Sequence, residues 1–221
     1  MIDGASPSMV KIVSTGCGGT VQGSGFVVAQ NLIVTNAHVV AGTGGTQVFD
    51  NSGVAHDAEV IWISPGTDLA VLRSDSLAAP PLSDIGVSAS PLGEQGAILG
   101  YPNGGQFSAV PAVISGFLTA YYGIYGEAAP TRTIFTVTSD IAPGDSGGPL
   151  IGRSGNVMGI VYAQGTDTKN VALVITPHEL LAAIRAGRAA ASPIDTGACA
   201  SEQVQETAPP AEGNATIQVG N

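Results

Sequence analysis

The sequence predicts an all-β fold of short antiparallel strands, a barrel or a sandwich, finished by one C-terminal helix. Three observations lead there. Short apolar, β-branched runs recur about every ten residues with turn residues between them. Glycine is abundant, at 31 of 221 residues, and charged residues make up only 11% of the chain, which suits turns rather than long solvated helices. One segment alone carries clear helical start signals. The chain is 44% hydrophobic, enough for a sizeable core in one large domain or two small lobes.

Taken in order, residues 1–8 are small and polar and are expected to be disordered. The first strand is "VKIVSTG" (10–16). "GSGFVVAQ" (23–30) and "NLIVTNAHVV" (31–40) follow as apolar strands with a turn near Gln30–Asn31. Residues 48–65 form a hairpin around Asn51–Gly53, and "TDLAVLRSD" (67–75) adds a short strand. "GEQGAILGYPNGG" (93–105) gives a strand and a Pro-Asn-Gly-Gly turn. "AVPAVISGFLTA" (109–120), "TIFTVTSD" (133–140), "GNVMGIVYAQG" (155–165) and "NVALVITP" (170–177) complete the set. The helix is "TPHELLAAIRAGRAA" (176–190). Thr176 is its N-cap, Pro177 takes the first position, and Glu179 completes a capping-box pattern. Leu180, Leu181, Ala183 and Ile184 form its apolar face. From residue 192 to 221 the composition turns rich in Pro, Ala, Thr, Glu and Gly and reads as a tail.

A formal net charge of −10 argues against nucleic acid and anionic membranes as partners. No run of eighteen apolar residues is present, so no membrane insertion is expected of this segment. The opening "MIDGASPSMV" has neither the basic nor the apolar region of a signal peptide. Either the chain stays inside the cell or it is one domain of a longer protein. Two cysteines, Cys17 and Cys199, decide little alone; a disulfide between them would imply an oxidising compartment.

The chemistry concentrates in "APGDSGGPL" (142–150). Gly144, Gly147 and Gly148 permit backbone angles or close approaches that a side chain would block. The stretch therefore suggests a sharply bent loop presenting the Ser146 hydroxyl and several N–H groups to a ligand. Such a serine requires a base and a group that orients the base. His56 neighbours Asp57, but adjacent residues on a strand point to opposite faces. His178 lies in the first turn of the helix. His38, in "VTNAHVVAG", ends an apolar strand; Asp68 follows in "GTDLAVL", and Ser146 comes later. His, Asp, Ser is one of three unrelated chain orders that build the same hydrolytic constellation.

"TNAHVV", "TDLAVL" and "PGDSGGPL" resemble the three catalytic segments of trypsin-like serine proteases, in the same order, over roughly residues 10–188. "GSGFVV" and "GIVYAQG" fit the same pattern. Among bacterial branches the chain is similar to the membrane-anchored periplasmic acid-resistance proteases of actinobacteria, and to the protease domain of the HtrA (Deg) family, without room for that family's PDZ domain. The resemblance implies two antiparallel six-stranded β-barrels over residues 9–191 with a C-terminal α-helix. It implies a serine endopeptidase with Ser146 as nucleophile, His38 as base and Asp68 as orienter, and an oxyanion hole from the N–H groups of Gly144 and Ser146. It implies no metal and no cofactor, and a protein or peptide substrate; the oligomeric state is not readable from the sequence, with a monomer favoured. The alternative is a non-catalytic or latent binding module on the same fold.

Further expectations follow from the resemblance. The chain would be a soluble extracytoplasmic domain, periplasmic or on the cell envelope, of a membrane-anchored protein. Cys17 and Cys199 would form a disulfide tethering the tail. Asp140 would stand at the floor of the primary specificity pocket, with Tyr162 and Gln164 on its wall. In zymogens of this family the residue before the serine pairs with a newly cut N-terminal amine. "KIVSTG" lies too close to the Gly23–Gly25 run to be such a cleavage site. Asp145 is therefore expected to bond locally, leaving other contacts to set the oxyanion hole.

Overall fold

Among the described residues, twelve strands close into two six-stranded barrels. The computed structural model describes residues 2–16, 18–122, 128–164 and 170–197. The first barrel holds β1 (Met9–Gly16), β2 (Gly19–Ala29), β3 (Leu32–Thr35), β4 (Thr43–Phe49), β5 (Ala55–Ser64) and β6 (Leu69–Arg73). The second holds β7 (Gln95–Gly100), β8 (Ser108–Tyr122), β9 (Ala128–Thr138), β10 (Pro149–Gly152), β11 (Val157–Gln164) and β12 (Val171–Ile175). Around the first barrel the order is β1-β2-β3-β6-β5-β4, and the second repeats it six strands later. All ladders are antiparallel, and β1–β4 and β7–β10 close the two cylinders.

The strands read as continuous apolar runs because both faces are covered. Val10, Ile12, Val27 and Ile33 fill the first barrel, and Ile98, Ile114, Phe135 and Leu150 the second. Their neighbours of opposite parity, Met9, Phe26, Leu99 and Ile160, form a third layer between the barrels. The two barrels thus share one buried interface.

Helix α3 (Pro177–Ala189) lies on that layer through Leu180, Ala183, Ile184 and Gly187. These positions follow the spacing of a helical face, so Leu181, expected there, points outward and is 37% exposed. Gly187 is required because a Cβ would sit 2.6 Å from Val71 Cγ1. At the N-cap the Thr176 hydroxyl donates to the Glu179 carboxylate instead of accepting a backbone N–H.

Four further differences from the sequence expectation have physical causes. Residues 2–8 are ordered, as helix α1 (Ile2–Ala5) and a 3₁₀ turn (Ser6–Ser8), because Ile2 and Ala5 pack on the inter-barrel layer. The run expected as one strand to Val40 stops at Thr35 and becomes the one-turn helix α2 (Ala37–Val40). Strand β10 was hidden by its four-residue length and its terminal Pro149 and Gly152. Residues 192–197 continue the fold: Ile194 N–H donates to the Val60 carbonyl, and Thr196 bonds at Gly42 and Thr43. The rest of the predicted tail, Cys17 and Cys199 lie outside the described residues. No described helix is long and apolar enough to cross a membrane.

Candidate active site

His38 sits in α2 and Asp68 in the turn before β6, both on the first barrel; Ser146 sits in the loop between β9 and β10 of the second. Asp68 is 1% exposed and has φ +56°, a left-handed conformation that costs an L-residue roughly 1–2 kcal/mol. Its own N–H donates to the Pro65 carbonyl at 3.2 Å, and three further hydrogen bonds hold it there. Its Oδ1 accepts the His38 backbone N–H at 3.0 Å, its Oδ2 faces His38 Nδ1 at 2.8 Å, and its carbonyl accepts Asn36 Nδ2 at 2.9 Å. The first of these uses a helix N-terminal donor with no intrahelical partner, which explains why the chain turns helical at Ala37. A carboxylate can only accept, so His38 Nδ1 carries the proton and Nε2 keeps its lone pair.

Burial pulls the His38 pKa down, but the charge and hydrogen bond of Asp68 outweigh it, and the net shift is upward from 6.5. The other histidines are placed elsewhere. His56 bonds Asp50 and Ser76 rather than Asp57, and His178 is exposed beside Glu179.

Every peptide plane of the Ser146 loop is held. The Pro143 carbonyl accepts Asn103 N–H at 2.6 Å, and the Asp145 carbonyl accepts Gly148 N–H at 2.9 Å. Gly147 N–H donates to the Val161 carbonyl, and Ser24 N–H donates to the Ser146 carbonyl, each at 2.8 Å. The Gly144 carbonyl accepts the Ser24 hydroxyl at 2.7 Å. The N–H groups of Gly144 and Ser146 have no protein acceptor among the described residues. Gly144 has φ +98°, and Gly147 has φ +87°.

The Ser146 hydroxyl donates to the Tyr162 carbonyl at 3.5 Å, and no hydrogen bond joins it to His38 among the described residues. The two sides of the site still adjoin. A Cβ on Gly23 would meet Val39 Cγ2 at 2.7 Å and the Ser146 carbonyl at 3.2 Å. The Tyr162 phenol is pushed up to about 12 by burial, with Arg132 opposing and Asp68 adding to the rise.

Asp145 bonds locally, as its sequence context suggested: its Oδ2 accepts Ala142 N–H at 2.9 Å. Burial raises its pKa, and that N–H opposes the rise. Asp140 and Gln164 are exposed and Tyr162 is half-buried. The sequence reading passed over Ser24 and Asn36. Their signals were present in "GSG" and "TNAH", since both are polar residues inside apolar runs and both are fully buried.

Two barrels sharing one buried layer, with the His38–Asp68 pair on one and a serine loop with free N–H groups on the other, put this chain in the chymotrypsin-fold class. Residues 23–160 match the family model described as the trypsin-like peptidase domain, and the chain belongs to that family. It is 36% identical over 205 residues to serine protease Rv3671c of Mycobacterium tuberculosis, a match covering 91% of this chain and 51% of that protein. The crystal structure of the Rv3671c protease in its active form superposes with a TM-score of 0.83 at 35% identity, covering 90% of this chain and 88% of that one. A probable periplasmic DegP-like serine endoprotease of Chlamydia pneumoniae is 36% identical over 141 residues, covering 63% of this chain and 28% of that protein. The chain thus spans about half or less of the length of these curated relatives.

Proposed function

We propose that this chain is a serine endopeptidase that cleaves peptide bonds through an acyl-enzyme on Ser146. The observation that carries this reading is the doubly bonded His38–Asp68 pair on the first barrel, together with a second-barrel serine loop in which two N–H groups have no protein acceptor among the described residues. His38 Nε2 takes the Ser146 proton as the oxygen attacks the substrate carbonyl, then returns it to the leaving amine. The N–H groups of Gly144 and Ser146 hold the oxyanion. For this to start, the hydroxyl must turn from the Tyr162 carbonyl toward His38; apo sites of this kind often tighten only with substrate bound. The alternative is a non-catalytic or latent binding module on the same fold. A fluorophosphonate probe decides between them: stoichiometric labelling of Ser146, absent in Ser146→Ala, is expected, and an unlabelled wild type would overturn the proposal.

The pH dependence follows from His38. Its raised pKa means the charged imidazole is favoured in the folded protein. That contribution to stability is fully present below 6.5 and is lost as pH rises through the higher folded value. Activity needs the neutral imidazole, so kcat/KM, which reports the free enzyme, is expected to fall on acidification with its midpoint above 6.5. A kcat/KM–pH profile with an optimum near pH 4 would contradict the base assignment.

Substrate preference is proposed to rest on Tyr162, Gln164 and Asp140. An exposed carboxylate is screened by water, so Asp140 supports only a modest preference for Arg or Lys at P1, about fivefold or less. A P1-varied peptide library is expected to lose that preference in Asp140→Ser; an unchanged profile removes Asp140 from the pocket.

An extracytoplasmic setting is likewise proposed, by similarity to the periplasmic DegP-like relative, and membrane anchoring is proposed only from the resemblance read in the sequence. A Cys17–Cys199 disulfide fits it. Gly16 pairs with Thr43, and Thr196 bonds to the Gly42–Thr43 segment, so both flanking segments converge on the start of β4. A thiol count without reductant is expected to find no free thiol in the folded protein; two free thiols would refute the bridge.

A further inference from the structure

We infer that Ser24, a first-barrel residue remote in sequence from the serine loop, is the positioning residue that holds the oxyanion hole. The inference rests on the peptidase reading above. Ser24 is fully buried in β2 and makes four polar contacts. Its N–H donates to the Ser146 carbonyl at 2.8 Å. Its carbonyl accepts the Thr35 hydroxyl at 2.8 Å. Its Oγ accepts Tyr101 N–H at 2.9 Å and donates to the Gly144 carbonyl at 2.7 Å. The direction of the last bond is unambiguous. An amide N–H can only donate and a carbonyl can only accept, so the hydroxyl proton must go to Gly144.

The consequence lies in how Gly144 can rotate. Its N–H belongs to the Pro143–Gly144 plane, which Asn103 holds at the Pro143 carbonyl. The Gly144–Asp145 plane is held at its carbonyl by the Ser24 hydroxyl at 2.7 Å and at its N–H by the Ala142 carbonyl, inside the loop itself, at 3.1 Å. Gly144, at φ +98° and without a side chain, is the swivel between the two planes. Without the Ser24 bond the second plane keeps only a contact within the loop, no tie to the first barrel remains at Gly144, and the swivel can turn and carry the N–H out of line with a developing oxyanion. Asp145 cannot substitute for Ser24, because its carboxylate is engaged with Ala142 N–H inside the loop itself. The tie also crosses the domain. One side chain of the first barrel fixes main-chain groups of the second and receives Tyr101 N–H from the end of β7. Oxyanion binding thereby depends on correct docking of the two barrels.

The test separates oxyanion binding from substrate binding. A peptide aldehyde forms a tetrahedral adduct whose oxygen occupies the oxyanion hole; the matching peptide alcohol fills the same subsites without forming one. Both are built on the best-cleaved sequence from a peptide library. In Ser24→Ala, kcat and aldehyde affinity are expected to fall by a common factor of about 10 to 100, with KM and alcohol affinity within about twofold of wild type. Thr35→Val, which removes the bond to the Ser24 carbonyl but leaves the hydroxyl, is expected to lower Tm without changing the aldehyde-to-alcohol ratio. Equal weakening of both ligands in Ser24→Ala, or the same ratio change in Thr35→Val, would show general loosening and overturn the inference. Should Ser24→Ala not fold, Ser24→Cys keeps a weaker donor and is expected to give an intermediate ratio; a folded Ser24→Cys with the wild-type ratio would also overturn it. A wild-type protein that neither cleaves peptides nor reacts with fluorophosphonate would instead refute the peptidase reading itself, and this inference with it.

Discussion

Ser146→Ala is expected to abolish peptide hydrolysis, a loss on the order of 10⁴- to 10⁶-fold in kcat, and His38→Ala to lose nearly as much. The two effects are nearly equal because nucleophile and base act as one unit: neither an unactivated hydroxyl nor an imidazole without a nucleophile completes the first step. The fold is expected to survive the serine substitution. Among the described residues the Ser146 side chain makes a single hydrogen bond, at 3.5 Å, and the loop is held by main-chain groups that alanine retains. Peptide kinetics beside a thermal melt check both halves. Wild-type turnover in Ser146→Ala would refute the nucleophile assignment, and a large drop in Tm would refute the claim that the loop is held through its backbone.

Gly147→Ala is expected to be the most damaging small substitution in the serine loop. A Cβ there would lie 2.0 Å from the Ser24 carbonyl oxygen and 2.5 Å from Thr35 Oγ1, at φ +87°. Left-handed strain and overpacking together predict a loss of about 2–5 kcal/mol. Gly148→Ala is expected to be comparable, since its Cβ would stand 2.1 Å from the Leu99 carbonyl oxygen. Gly155→Ala is the control. It has φ +91° but open space around it, so only the strain of about 1–2 kcal/mol remains. Denaturant unfolding of the three variants checks the ranking. Equal stabilities for Gly147→Ala and Gly155→Ala would mean that close approach to the first barrel does not set the loop. This contact is the physical reason for the glycines around Ser146. The loop passes between two backbones, of β2 and β7, with no room for side chains at 147 and 148.

The sequence by itself determined what depends on local pattern and chain order. Apolar β-branched runs broken by glycine turns made the chain all-β, and Pro177 with the spacing of Leu180, Ala183 and Ile184 placed the one long helix. The order of His38, Asp68 and Ser146, each in a recognisable segment, pointed to the family. Only tertiary structure decided what depends on packing between distant segments. Residues 2–8 are ordered because the inter-barrel layer receives Ile2 and Ala5. The chain turns helical at Ala37 because Asp68, thirty residues on, accepts the His38 N–H. Leu181 faces solvent, although its composition matches its buried neighbours, because the layer beneath α3 meets the opposite face. The exposure of Asp140 could not be read from its place in the chain. Ser24 and Asn36 looked like ordinary polar residues in strands, and their partners lie across the barrel interface or in a distant turn. Hydrogen bonds of that kind have no sequence period and no fixed separation, so they become visible only when the barrels close and dock.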